Sequence, residues 1–183
     1  LTLGGLVAGA GGLVKNGAAN LTLGGNNAYA GGTTLNAGTL TVGNSSALGS
    51  GALTVAGAAT LDNSSALVNL NNAVTLNAAL TVAGSQNLAL GGVISGTGSL
   101  VKNGTANLTL NGINTYQGGT TLNAGTLTLG TPAALGSGAL TVGGAATLDN
   151  SSALVLGNDI TLNAGLTVAG NNSLVLSGVV SGA

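Results

Sequence analysis

The chain echoes itself at a distance of 87 residues, and this echo limits its fold more than any local motif does. Residues 13–68 align with 100–155 with 46 identities in 56 positions. One residue is then lost, and "VTLNAALTVAG" (74–84) pairs with "ITLNAGLTVAG" (160–170) at a shift of 86. Residues 1–12 resemble 88–99, so the 183 residues divide into a partial repeat (1–12), a first copy (13–99) and a second copy (100–183) of one segment. A repeat of this kind is one stackable unit that cannot bury its apolar face alone.

A finer period runs inside the echo. Short apolar–Thr–apolar words begin near Leu21, Thr39, Ala59, Leu80 and Leu108, an average step of roughly 22 residues. Gly, Asn and Ser separate the words, and these are turn formers with a physical mechanism. The 35 glycines count against helices, since each interior helical Gly costs about 1 kcal/mol. Period-two alternation in β-branched words indicates strands.

Two all-β readings compete at "SLVKNGTANLTLNG" (99–112). Local rules draw a hairpin at Asn103–Gly104, because Asn-Gly between apolar runs is a strong hairpin signal. The echo favours a parallel β-helix, a β-solenoid of about eight coils in which each strand lies over its counterpart one coil later. Asn103–Gly104 is then a corner between Leu100-Val101-Lys102 and Leu108-Thr109-Leu110. Leu21 and Leu23, Leu40 and Val42, Leu53 and Val55, and Leu80 and Val82 should point into the bore, with the intervening Thr outside. Asn should stack over Asn at the corners. The absence of Phe and Trp suits a narrow tube.

Composition removes most chemistry. Without Cys or His, zinc, haem and iron–sulfur sites lose their usual ligands. Two Lys, no Arg and a net charge of −1 leave no electrostatic footprint for nucleic acid. The sequence has no run of 18 apolar residues, so no membrane span is expected despite a mean hydropathy of +0.56. No signal peptide opens the chain and no Met occurs, so it reads as a piece of a longer protein or an engineered product.

"LVKNGTANLTLNGINTYQGGTTLNAGTLTLG" (100–130) resembles the autotransporter-associated β-strand repeat, also called the passenger-associated transport repeat. Leu100, Lys102, Gly104, Leu108, Leu110, Gly112, Asn114, Tyr116, Gly118, Gly119, Thr120, Gly125, Thr126 and Leu127 match its pattern. The first copy matches through Leu13, Lys15, Gly17, Leu21, Leu23, Tyr29, Gly31, Gly32 and Thr33. The resemblance implies a right-handed parallel β-helix from the surface-exposed passenger of a type V secretion protein, often a bacterial adhesin. It also implies a role in export through progressive folding outside the cell.

No residue pattern supports catalysis, and no cofactor or metal is expected. Lys15 and Lys102 read as solvated corner residues or edge guards in preference to an anion site. Asp62, Asp149 and Asp159 are too scattered for paired-carboxylate chemistry or calcium, and suit turns. Tyr29 and Tyr116 read as corner covers with wet hydroxyls rather than sugar platforms. Ser and Thr have no base beside them in a recognisable order. The expected function is a non-catalytic stalk or spacer on the bacterial surface. Its expected partners are neighbouring coils, or copies of itself end to end. Self-assembly into filaments and a glycan- or ice-binding face are the alternatives.

Overall fold

The computed structural model describes residues 1–182; Ala183, the last residue of the second copy, lies outside them. Every regular element is a β-strand of two to five residues, and every strand pair is parallel. Among the described residues, no helix is long and apolar enough to cross a membrane. The chain winds as a β-solenoid with three faces. Face 1 is one uninterrupted sheet of ten strands, from Thr2–Leu3 to Val180–Gly182. Nine turns therefore separate its ends, one more than the sequence spacing suggests. At about 4.8 Å per rung the rod is roughly 43 Å long.

The pitch also corrects the sequence estimate. Along face 1 the register steps from Leu21 to Leu40, Leu61 and Val82, and from Leu80 to Leu100 and Thr120, which is 19 to 21 residues per turn. The step of roughly 22 counts Leu108 as the rung after Leu80. That rung is Leu100, and Leu108 lies on face 2 between Leu88 and Leu127.

Alternation sorts the side chains as expected. Leu21, Leu23, Leu40, Val42, Leu53, Val55, Leu80 and Val82 are buried, and Thr22, Thr41, Thr54 and Thr81 between them are half-buried on the outside. The bore is one continuous apolar column, aliphatic apart from Tyr116. Burying each such side chain contributes about 1.5–3 kcal/mol. The Asn103–Gly104 question is also settled, since Leu100–Lys102 pairs in parallel with Leu80–Val82 and Thr120–Leu122. Its corner leads to Asn107–Leu110 on the next face.

The 87-residue echo does not stack copy on copy. Four ladder steps carry Leu13 to Ile94 on face 3, and six more residues reach Leu100 on face 1. The repeat therefore spans four turns and about a third. Leu13–Lys15 lies on face 3 while its twin Leu100–Lys102 lies on face 1. Leu21–Leu23 is on face 1 and its twin Asn107–Leu110 on face 2. The two copies are related by a screw of about 120°.

Each copy breaks one face with a turn. Residues 44–50 replace a strand on face 2, and 131–137 do so on face 3. This divides face 2 into sheets of two and six strands, and face 3 into sheets of five and two. The turns are stitched to the coil below through Asn27 N to Ser46 O (3.1 Å) and Ser50 N to Tyr29 O (3.1 Å), and equivalently through Asn114 N to Ala133 O (3.1 Å) and Ser137 N to Tyr116 O (3.0 Å).

Candidate functional site: the buried repeat signature

The signature residues converge inside the tube rather than on its surface. Leu100 and Lys102 share one side of the alternation, so Lys102 enters the bore with Leu100. Its stem lies in the ladder between Val82 and Leu122. Its ammonium reaches the corner, donating to Gly104 O and to Ala124 O (3.2 Å) one coil above. Lys15 repeats the clasp, donating to Asn16 O (3.1 Å), Gly17 O (2.6 Å) and Ala37 O (3.0 Å). The expectation of solvated corner lysines is thus overturned. The carbonyls left open by each corner give the ammonium its solvation shell, so no carboxylate is needed. Burial still penalises the charge and lowers the Lys102 ammonium to about 8.

The tyrosines are also internal, against the expectation of wet corner hydroxyls. Tyr29 and Tyr116 are buried, and each hydroxyl is 2.6 Å from the Oγ1 of Thr33 or Thr120. Both threonines face inward. Desolvation raises the Tyr116 hydroxyl to about 12 against the opposing effect of its Thr120 bond, and Tyr29 shifts in the same direction. Gly118–Gly119 makes the bend that returns the chain to face 1. Gly119 has φ +76°, and a Cβ on Gly118 would fall 2.5 Å from the Gly98 backbone. Gly31–Gly32 makes the equivalent bend in the first copy, where it leads the chain to Thr33–Leu35 on face 3.

Sequence reasoning matched Asn114 to a pattern without finding its task. Asn114 Oδ1 accepts Ile94 N (2.8 Å) from the coil below, and its Nδ2 donates to Ala134 O (2.6 Å) in the coil above. Asn27 links Val7 N (2.9 Å) to Ala47 O (2.7 Å) in the same way. Each asparagine pins the face-breaking turn, whose Ala47–Leu48 or Ala134–Leu135 plugs the bore. The signal was parity: Leu110, Gly112, Asn114 and Tyr116 fall on one side of a period-two pattern.

Other corner polar groups are also used internally, although Asn63 Oδ1 and Asn150 Oδ1 are buried without a partner. Asn36 Nδ2 donates to Asn16 Oδ1 (2.6 Å) and Asn123 Nδ2 to Asn103 Oδ1 (2.7 Å), the corner amide stacks expected from the sequence. Asp62 accepts Asn63 N, Ser85 N and Ser85 Oγ; Asp149 accepts Asn150 N; Asp159 accepts Val179 N. Asp62 and Asp159 thus join their coil to the next, and Asp149 accepts from its own neighbour. Shallow grooves of about 450 and 360 Å³ flank the two turns. They are repeat twins with different linings: Ser45, Ser46 and Asn71 in one correspond to Pro132, Ala133 and Gly157 in the other. The grooves follow from the turn; what they share is Ser50 or Ser137 and Asn72 or Asn158, and each of these Asn amides is held by two backbone carbonyls at its turn.

Comparison with known proteins agrees with this geometry. The passenger-associated-transport-repeat family matches residues 13–42 and 100–129, the two segments that carry the clasps and the Asn–Tyr pairs. The chain is 34% identical over 126 residues to the adhesin BmaC autotransporter of Brucella suis biovar 1 (strain 1330). That match covers 67% of this chain and 4% of the Brucella protein, so the chain spans a small fraction of its relative. No solved structure matches.

Proposed function

Because the chain carries the passenger-associated transport repeat twice, we propose that it is a non-catalytic stalk segment of an autotransporter passenger, exposed at the bacterial surface within a longer adhesin-like protein. One observation carries the reading: the signature's Lys and Asn side chains are spent on joining one coil to the next, and its Tyr and Thr side chains on closing each coil from within. None is left open to a substrate. The segment resists bending because each face is a ladder of parallel hydrogen bonds over an apolar column. It aids export because a finished coil is the template for the next, so stacking propagates from one formed end. Its proposed partners are further coils of the same fold at either end.

The test is surface display of a passenger that contains this segment, with and without Asn114→Ala and Tyr116→Ala together. Slower appearance outside the cell supports the reading, and an unchanged display rate counts against a folding role. Concentration-dependent filaments of the isolated chain in light scattering would transfer the case to self-assembly.

A second reading, a face for neutral glycans, is favoured by one rank of side chains. Thr39, Thr60, Thr81, Val101, Thr121, Thr141, Thr161 and Ser181 succeed one another on the outside of face 1, seven hydroxyls in eight coils. A single axial rank suits a linear chain of hydroxyls better than a two-dimensional ice lattice. Glycan-array binding that is lost in Thr121→Val/Thr141→Val would establish it.

A further inference from the structure

We propose that the Asn16–Gly17 and Asn103–Gly104 corners are sites of spontaneous deamidation, activated by the amide stack that the fold builds on each asparagine. In this reaction the glycine backbone nitrogen attacks the Asn Cγ. A nitrogen–carbon bond forms, the Cγ–Nδ2 bond breaks, and Nδ2 leaves as ammonia with the proton from the glycine nitrogen. The resulting succinimide takes up one water and opens to aspartate or isoaspartate. One water enters, one ammonia leaves, and nothing is oxidised.

The geometry favours these two corners at each reacting atom. Both asparagines are exposed, and neither Gly17 N nor Gly104 N donates a hydrogen bond among the described residues, so the nucleophiles are free. The electrophile is polarised. Asn36 Nδ2 donates to Asn16 Oδ1 at 2.6 Å and Asn123 Nδ2 to Asn103 Oδ1 at 2.7 Å. That oxygen gains negative charge as Cγ is attacked, so these bonds tighten in the transition state, as in an oxyanion hole. The first corner has a further activation. The Lys15 ammonium donates to Asn16 O (3.1 Å), the carbonyl of the Asn16–Gly17 peptide, and so makes the Gly17 N–H more acidic, easing the proton loss that attack requires. Lys102 holds Gly104 O and Ala124 O instead.

The chain contains its own control. Asn111–Gly112 is the third Asn-Gly pair, but Gly112 is buried and Asn111 Oδ1 receives no hydrogen bond among the described residues. Each conversion adds a carboxylate to a chain of net charge −1, and isoaspartate adds a backbone carbon at a corner whose stacking depends on its length.

The experiment is peptide mapping by mass spectrometry during mildly alkaline incubation of the folded chain, with a parallel sample in urea. In urea the three pairs should convert at similar rates. In the folded chain Asn16 should lead, Asn103 follow and Asn111 lag behind both. Asn123→Ala should slow Asn103 by about fivefold, the loss expected when one bond that tightens in the transition state is removed, and leave Asn16 unchanged. Folded-state conversion of Asn111 at the pace of the other two overturns the proposal, with no variant needed. Faster conversion of Asn103 in Asn123→Ala also overturns it, because the stack then protects.

Discussion

The two signature copies use nearly the same words in different surroundings. Tyr116 has Ile94–Gly96 below it and the 131–137 turn above, and Lys102 lies in mid-sheet between Val82 and Leu122. Tyr29 rests on the two-residue strand Ala8–Gly9, and Lys15 belongs to the last strand of its sheet, with Thr33–Leu35 as its one strand partner. Lys102 is fully buried, whereas Lys15 keeps 6% of its surface. The motif supplies the groups, and the coils on either side decide how much each group contributes.

This contrast can be broken by paired substitutions. Tyr116→Ala should cost about 3–5 kcal/mol in urea unfolding, the range for deleting a buried aromatic, and Tyr29→Ala clearly less. Equal losses would show that the neighbouring coils do not matter. Asn114→Ala strands Ile94 N and Ala134 O inside the tube and should cost about 1–3 kcal/mol. Asn27→Ala should cost less, because Val7 N belongs to the half-exposed first coil and can recruit water.

Stability against pH sharpens the comparison. The folded state holds the Lys102 ammonium at about 8, below its ordinary 10.5. Between these values the unfolded chain binds the extra proton, so stability rises as pH climbs from about 8 towards 10.5. Tyr116 acts in the opposite direction from the upper end of that window. Its hydroxyl titrates at about 12 when folded and 10 when free, so its contribution is lost from pH 10 upward. Denaturant midpoints measured from pH 7 to 12 should therefore rise and then fall, and Lys102→Met should flatten the rise. The smallest effect belongs to the outer rank. Val101→Thr, which completes the row of hydroxyls, should move the midpoint by no more than about 0.5 kcal/mol. A larger shift would mean that the outer face has a packing role absent from this structure.

Much of the fold was legible in residue order, because strand alternation is local. "LTL" and "LTV" name their inward and outward residues wherever they stand. The same rule, extended to the signature, would have put Lys102 beside Leu100 and Asn114 beside Tyr116 on the inner side, where the structure has them. What obscured them was the prior that charge and phenol face water, which fails where corner carbonyls and a buried Thr await them. The pitch was misjudged because nothing in Leu108 itself says which face it joins.

The sequence by itself determined that the chain repeats, that its units are short parallel strands with an aliphatic inner side, and that its corners are glycine and asparagine. Tertiary structure decided the rest: nine turns, the face each copy occupies, the burial of Lys102 and Tyr116, and the exposure of Asn103–Gly104 under the Asn123 amide. The physical reason is the mismatch between two lengths. A turn closes after 19 to 21 residues and the repeat after 87, so each copy lands about a third of a turn from the last. The inter-coil contacts of Lys15, Asn114 and Asn103 then come from a coil some 20 residues away, where local pattern has no reach.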